Sequence, residues 1–387
     1  MGEPCHLSGM KVLHTESSVN WGGQEYRILD QMAWLAENGH HTGLAARPGS
    51  DIADRAHAAN LSVHLVDYTG HYNPFAILHV RSLVKRHGYQ IADCHGSRDV
   101  MTQAFARDLA PVIRTHHLSQ PLKNKLHRRL QWRWGSDAVI ATAQCIKDEI
   151  LAKGLAPNER IHVVGEWADD AFFDISRRRE YRTEVRAEFD VPETSALIAV
   201  VGMLRGDKAQ EHLIRAAAEM KRRARPVTAL IVGSVTNTQS DYENELRTLA
   251  SELGVTGDIR FAGYRNDVAR LTQGADILAI TSIAVEAQSR AALQAFASLT
   301  PVVASRIGGV GELVRAGETG WLVPPGDAIA YADAFCEILD GPEAAASITA
   351  GARQLAEASL RIDAKMAETL ALYERLVAGK QPKGPAS

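Results

Sequence analysis

The sequence predicts an α/β protein made of two doubly wound, Rossmann-like domains facing a cleft. Three observations carry the prediction. Short β-branched apolar runs alternate with helical patterns, the mark of βαβ units and parallel sheets. That rhythm runs twice, broken at 174–192 by a charged stretch holding Arg177, Arg178, Arg179, Glu180, Arg182, Glu184 and Arg186. The chain has 387 residues, which suits two domains at ~100–200 residues each. Apolar residues make up 45% and charged residues 23%, which excludes disorder, collagen and coiled coil as the main architecture. No repeat of solenoid or propeller length is visible.

Lys11–Thr15 reads as the first strand, with Gly22-Gly23 in the loop that follows. Glu25–Asn38 is an amphipathic helix stopped by Gly39, since a C-terminal glycine takes the left-handed turn that ends helices. Thr42–Ala46, Ser62–Leu65, Ile91–Cys94, Val112–Thr115 and Ala138–Thr142 are further strands, and His162–Val164 closes this half. Within it, Leu122–Trp134 holds Lys123, Lys125, Arg128, Arg129, Arg133, two tryptophans and no acid. Leu122, Leu126, Leu130 and Trp134 recur every four residues, one apolar stripe if the segment is helical. The charged stretch leads into a short helix. Leu197–Val201, Thr228–Val232, Ile259–Ala262, Ile277–Ile280, Pro301–Ala304 and Gly320–Val323 are then strands, and Ala344–Val377 reads as helical throughout. The expected domains are 10–174 and 190–355, with a C-terminal helix at 356–378 packing back on the first.

Lys+Arg 43 against Asp+Glu 46 gives a net charge of −3, which argues against a bulk nucleic-acid binder. No apolar run reaches the ~18 residues of a membrane span. Met1–Met10 contains Glu3, Pro4 and His6 without an apolar core, so no signal peptide is read. His6 stands where a myristoylation signal wants Ser or Thr. Cys5, Cys94, Cys145 and Cys336 are far apart, which fits a reducing, cytoplasmic setting and argues against zinc or a disulfide framework. Gly309-Val310-Gly311 fails as a dinucleotide fingerprint because Val314 occupies the third glycine position. P-loop and GxSxG motifs are missing. No DxD pair exists to hold Mn²⁺ or Mg²⁺ against a diphosphate, so neither metal nor resident cofactor is expected.

Doubly wound sheets bind ligands beyond the carboxyl ends of their strands, so chemistry is sought in the strand-to-helix loops. Glu286 follows the strand Ile277–Ile280, and Gln288, Ser289 and Arg290 place backbone N–H groups at a helix N-terminus, where an anion is favoured. Alone, Glu286 reads as an acid stabilised by the helix dipole. It opens a longer ordered run, though: Gln294, Pro301-Val302-Val303-Ala304-Ser305, Gly308-Gly309, Glu312-Leu313-Val314, Gly317, then Gly320-Trp321-Leu322-Val323-Pro324-Pro325-Gly326-Asp327. That run resembles the signature of the retaining GT-B glycosyltransferases of family 4, with their Glu-x7-Glu, Pro-Val-Val strand, Gly-Gly and Pro-Pro-Gly-Asp.

The resemblance implies a GT-B fold and a nucleotide-diphospho-sugar donor held mainly by the second domain. An acceptor hydroxyl would approach from the first. It puts Glu286 on the donor-sugar hydroxyls and Gln294, where the family has an acid, on the nucleotide ribose. It puts Lys208, in Val201–Lys208, on the diphosphate. Arg205 serves there too, since Met203 fills the usual arginine position. Tyr264 and Arg265 would border the base, and Gly22 and Gly23 the phosphates and acceptor. His95 would hydrogen-bond the donor sugar, with Asp99 one helical turn on, and His116 or His117 would meet the acceptor. The implied acceptor is a glycan or lipid-linked glycan of a bacterial surface, lipopolysaccharide for example, at the inner membrane face. The basic segment Leu122–Trp134 then either lies on anionic lipid or packs its stripe on its own domain. Gln294 and Met203 also suit a catalytically impaired relative that only binds nucleotide-sugar or a partner. A sugar-nucleotide 2-epimerase shares the fold.

Overall fold

A computed structural model describes residues 9–70, 72–117, 122, 126–235, 241–284 and 286–380. Lys123 and Lys125 of the basic segment, and Cys5 and His6, lie outside them. The chain forms two compact units, Met1–Gly165 with Lys365–Ser387, and Glu166–Ala364.

The first unit runs β1 (Lys11–Glu16), α1 (Gly23–Glu37), β2 (His41–Ala46), α2 (Asp51–Ala58), β3 (Ser62–Leu65), α3 (Pro74–His87), β4 (Ile91–Cys94), α4 (Ser97–Gln103), β5 (Val112–His116), α5 (Leu126–Gly135), β6 (Ala138–Ala141), α6 (Gln144–Ala152) and β7 (Ile161–Val163). Its sheet is parallel in the order β3-β2-β1-β4-β5-β6-β7. The second unit runs α7 (Asp170–Phe173), α8 (Arg178–Glu188), β8 (Ala196–Val201), α9 (Glu211–Arg222), β9 (Val227–Val232), α10 (Tyr242–Glu252), β10 (Ile259–Gly263), α11 (Val268–Gly274), β11 (Ile277–Ile280), α12 (Arg290–Ala297), β12 (Val302–Ser305), α13 (Val310–Leu313), β13 (Trp321–Val323), α14 (Ala328–Asp340) and α15 (Pro342–Ser359). The last helix, α16 (Ile362–Lys380), carries the chain back into the first unit. The second sheet is β10-β9-β8-β11-β12-β13, again parallel.

The apolar runs explain this. A parallel strand covered by helices on both faces is buried on both faces, and β8 and β9 are buried almost throughout, from Ala196 and Val227 onward. Every strand read from the sequence is present, displaced by at most one residue at an end. In each sheet the first strand sits centrally, and the winding reverses beside it, at β1/β4 and at β8/β11. Such reversal points are where doubly wound sheets hold ligands, beyond the carboxyl ends of the strands.

Two expectations need correction. Ala344–Val377 is two helices, broken at Leu360-Arg361. There the buried Leu360 gives its carbonyl to the Ala168 N–H at 3.0 Å, and Arg361 pairs with Asp170 at 3.0 Å. No glycine or proline marks this break, because a tertiary contact makes it. Nor does the stripe of the basic segment pack on its own domain. Leu126, Leu130 and Trp134 are exposed on α5. Trp132 is the buried residue, beneath the Arg114 guanidinium at 4.4 Å and edge-on to His116.

Candidate functional site

In the second unit the crevice lies between the loop after β8 and the loop after β11. Gly202, at φ +156°, lets the first loop turn away from its sheet. Gly233 is as necessary, since a Cβ there would come within 1.9 Å of the Gly202 carbonyl. The loop is then sewn to its neighbour: the Thr281 hydroxyl donates to the Lys208 carbonyl at 2.8 Å, and the Ile283 N–H to the Asp207 carbonyl at 3.0 Å. Ala209 closes the loop in the left-handed region, φ +53°, a conformation a non-glycine residue keeps only when its surroundings enforce it. The side chain of Gln210 holds the Met203 carbonyl at 2.9 Å. A small cavity of about 20 Å³ opens here, lined by Lys208, Gln210, Thr281, Ser282 and Ser289 among others.

The Lys208 ammonium bridges both oxygens of Glu286, at 2.7 and 2.6 Å, and both side chains are mostly shielded from solvent. Glu286 is placed by its backbone: its carbonyl accepts from the Gly309 N–H at 2.9 Å, and a Cβ on Gly308 (φ +44°) would come within 2.0 Å of it. Gly308 therefore lets the loop after β12 lie against Glu286. Just beyond, Ser289 stands at the N-cap of α12 in extended geometry, and its carbonyl accepts from the Ala292 N–H at 3.0 Å. Arg205 grips Asp207 through two bonds of 2.5 Å. That hydrogen-bonded partner raises the guanidinium's pKa, and although burial opposes it, Arg205 holds Asp207 below the usual carboxylate range.

Other expected donor residues are spread more widely. Gln294 is half-buried on α12, about one and a half turns beyond Ser289. The Gln288 side chain accepts from the Glu166 N–H at 2.9 Å, and Arg290 pairs with Asp169 at 3.3 Å, so both side chains fasten the 166–169 segment while their backbone stays at the helix start. Tyr264 is exposed. Arg265 is held at 2.7 Å by Asp267 and by Glu188 of α8, a network that braces α8 against the loop after β10.

In the first unit the strand-pair loops carry Gly22, Gly23 and His95. Gly22 caps α1 in extended geometry, with the Glu25 carboxylate 3.4 Å from where its Cβ would be, and nothing lies within 4 Å of where a Gly23 Cβ would be. His95 is buried with both ring nitrogens engaged: Nε2 faces His14 Nδ1 at 3.3 Å and Nδ1 faces His117 Nε2 at 3.0 Å. Parallel pairing sets His14 opposite Asp93. Asp93 accepts from the Thr115 hydroxyl at 2.5 Å and the Tyr373 hydroxyl at 2.6 Å. Donor atoms of His14, Asp93 and His95 lie within 4.8 Å of one another, close enough to share a cation; the hydrogen bonds engage both His95 nitrogens and His14 Nδ1, while His14 Nε2 is buried without a partner among the described residues. Burial pushes the His14 and His95 rings down to about 3, keeping both neutral. Asp99 does not reach His95. It accepts from Thr15 at 2.6 Å, Ser17 at 2.9 Å and the Gly96 N–H at 3.1 Å.

Sequence reasoning missed Glu16. It ends β1 buried, accepts from the Ser18 N–H at 2.6 Å and from the Gln24 amide, and Gln24 reaches the His95 carbonyl at 3.4 Å. Burial, reinforced by the neighbouring Asp99 charge, pushes its carboxyl up to about 8. Its place at a strand end was visible in the sequence; its burial beside Asp99, 83 positions away, was not.

Residues 181–355 match the family model described as Glycosyl transferases group 1, and residues 21–172 that described as Glycosyltransferase Family 4. A D-inositol 3-phosphate glycosyltransferase of Corynebacterium efficiens is 36% identical over 256 residues, which span 61% of this chain and 60% of that protein. An uncharacterized glycosyltransferase of Methanocaldococcus jannaschii is 25% identical over 77% of this chain and 80% of its own length. Among solved structures, a glycosyltransferase from Rickettsia africae superposes with a TM-score of 0.87 at 20% identity, covering 96% of this chain and 99% of that one. Anabaena HepE in complex with UDP gives 0.82 at 22%, covering 94% and 100%. These likenesses show the GT-B fold.

Proposed function

The chain belongs to the family 4, group 1 glycosyltransferases, one family model lying on each half, and on that premise we propose that it moves a sugar from a nucleotide-diphospho-sugar to an acceptor hydroxyl with retention of configuration. The carrying observation is the Lys208–Glu286 pair, set between the loops that follow β8 and β11 and beside the start of α12. An arriving diphosphate takes the Lys208 ammonium from Glu286. The freed carboxylate then accepts from sugar hydroxyls, so donor binding exchanges one ion pair for two sets of contacts. Arg205, once turned from Asp207, adds a bidentate phosphate clamp. Gln294 can both donate to and accept from the ribose. In the front-face reaction the leaving phosphate helps deprotonate the acceptor, and Lys208, Arg205 and the α12 N–H groups stabilise the charge that develops. These cations take the role a divalent metal would have. His95, enclosed between His14 and His117, acts from within the wall of the first unit. HepE, crystallised with UDP, supports a nucleotide donor.

The acceptor in this reading is a glycan or lipid-linked glycan, made for a bacterial surface polymer such as lipopolysaccharide at the inner face of the cytoplasmic membrane. Among the described residues no helix is long and apolar enough to cross a membrane; the attachment in this reading is peripheral. A small inositol phosphate is a second acceptor reading, favoured by the name of the Corynebacterium relative. A panel of nucleotide-sugars scored by thermal shift identifies the donor, because a ligand of the folded state stabilises it by mass action. Release of nucleoside diphosphate with each acceptor, and the anomer formed, then decide transfer and stereochemistry. A chain that no nucleotide-sugar stabilises would overturn the proposal.

A further inference from the structure

We propose that the first unit carries a bilayer-docking platform assembled from three separate elements, with an anionic lipid surface as its occupant. It deepens the membrane-side acceptor reading by naming the surface that meets the lipid. Phe75 and Leu78, 81% and 65% exposed, lie one turn apart on α3, and residues so spaced share a helix face. Leu126 and Leu130, 73% and 60% exposed, do the same on α5, with Trp134 a turn further. Phe105, between α4 and β5, joins the two groups. Its ring lies 5.0 Å from Trp134 and 6.4 Å from Tyr72, which precedes α3, and the Tyr72 hydroxyl accepts from Gln131 of α5 at 3.3 Å. Phe105 thus links Tyr72, just ahead of α3, to Trp134 of α5, and the exposed apolar residues of both helices flank that link. Single exposed leucines need no account, but a contiguous patch marks an interaction surface.

Charge selects the occupant. The described part of the stripe helix, LHRRLQWRWG, carries Arg128, Arg129 and Arg133 and no acid. Of the nearby acids, Asp108 is paired with Arg81 at 2.5 Å, and Asp67 is turned onto Thr69 and Asn73. A basic rim around an aromatic and aliphatic face suits the headgroup boundary of anionic lipid. A second copy would set like charges against each other. The N-terminal end of α3 adds two further exposed apolar side chains, Phe75 and Leu78, placed to enter the acyl boundary.

The test uses the whole protein with vesicles of phosphatidylcholine alone and of phosphatidylcholine with phosphatidylglycerol. The wild type should sediment with the mixed vesicles and much less with the neutral ones. Phe75→Ser/Leu130→Ser should lower partitioning by ~10-fold or more even at low salt, the scale of withdrawing two large side chains from an apolar phase. Arg128→Gln/Arg133→Gln should lower it in a manner that added salt reproduces. Thermal shifts by nucleotide-sugar should be unchanged in both variants, so failure of docking and failure of the donor reading are told apart. Wild type left in the supernatant, or a Phe75/Leu130 variant that partitions like wild type, would overturn the proposal. So would a wild-type dimer in sedimentation velocity that the same apolar substitutions dissociate.

Discussion

Lys208 and Glu286 neutralise each other in a partly shielded crevice, so removing either takes the ion-pair partner from the other and, in the proposed reading, a contact from the donor. Lys208→Ala and Glu286→Ala should each lower turnover by at least ~10²-fold in a folded protein, the scale of one lost electrostatic contact; rates near wild type would dismiss the assignment. Gln294→Glu should keep or tighten nucleotide binding, measured by titration calorimetry, because a carboxylate accepts more strongly from ribose hydroxyls. Abolished binding would remove Gln294 from the site. Lys208 and Glu286 were legible in the sequence because each sits in an ordered local run. The surroundings of His95 were not, since its partners His14 and His117 come from other strands and Asp93 is capped by Tyr373, 280 positions away. Those surroundings set a pH response. Burial keeps His14 and His95 neutral with pKa values of about 3, and His116 with about 4, so each gains a proton on unfolding once the pH is below ~6.5. The unfolded chain then binds more protons, and stability falls with falling pH between ~6.5 and ~4 by about 1.4 kcal/mol per unit for each ring. Glu16 has the opposite sign. Its carboxyl titrates at about 8 in the fold, so its contribution is full below the ordinary carboxylate range and lost as pH rises through 8. Urea melts should show Glu16→Gln stabilised relative to wild type near pH ~9 and much less so near pH ~6; a difference independent of pH would contradict it.

Glycine pairs act at the level of whole loops. Gly308-Gly309 reads in the sequence as a motif fragment, and the structure supplies the reason, the Glu286 carbonyl within 2.0 Å of an added Cβ. Gly308→Ala must therefore displace either the loop after β12 or Glu286 itself, on top of the strain of a left-handed φ. Urea melts should show a loss of about 1–3 kcal/mol, together with weakened donor binding; unchanged affinity would mean that the loop does not position Glu286. Strands were the most legible elements, because burial on both faces writes them as continuous apolar runs. The helix break at Leu360 was hidden for the converse reason, as its cause lies on the 166–170 segment. On α5 the spacing located the stripe, but spacing alone does not say whether a stripe faces protein or solvent. Trp132 and Trp134, two residues apart, had to face differently on a helix, and Trp132 is the one inside.

Each unit has its own sheet and its own buried core, and in the proposed reading the donor is held mainly by the second. Residues 166–364 expressed separately should fold and show the nucleotide-sugar thermal shift of the whole chain, and no shift from a folded fragment would refute this. With Lys208 and Arg205 as the diphosphate cations, EDTA should leave transfer intact; activity lost to chelator and restored by Mn²⁺ would refute the metal-free mechanism. The first unit, in contrast, is not continuous in the chain: it needs α16 from Lys365 onward, whose Tyr373 completes the bonding of Asp93 and whose Met366 lies on Gln31. On the ribosome this inverts the usual order. The half synthesised first waits while all of Glu166–Ala364 is made, roughly 10–40 s at ~5–20 residues per second. During that interval the second half can close and the first cannot, so a nascent chain stalled before Tyr373 exposes an unfinished face to chaperones and to other chains.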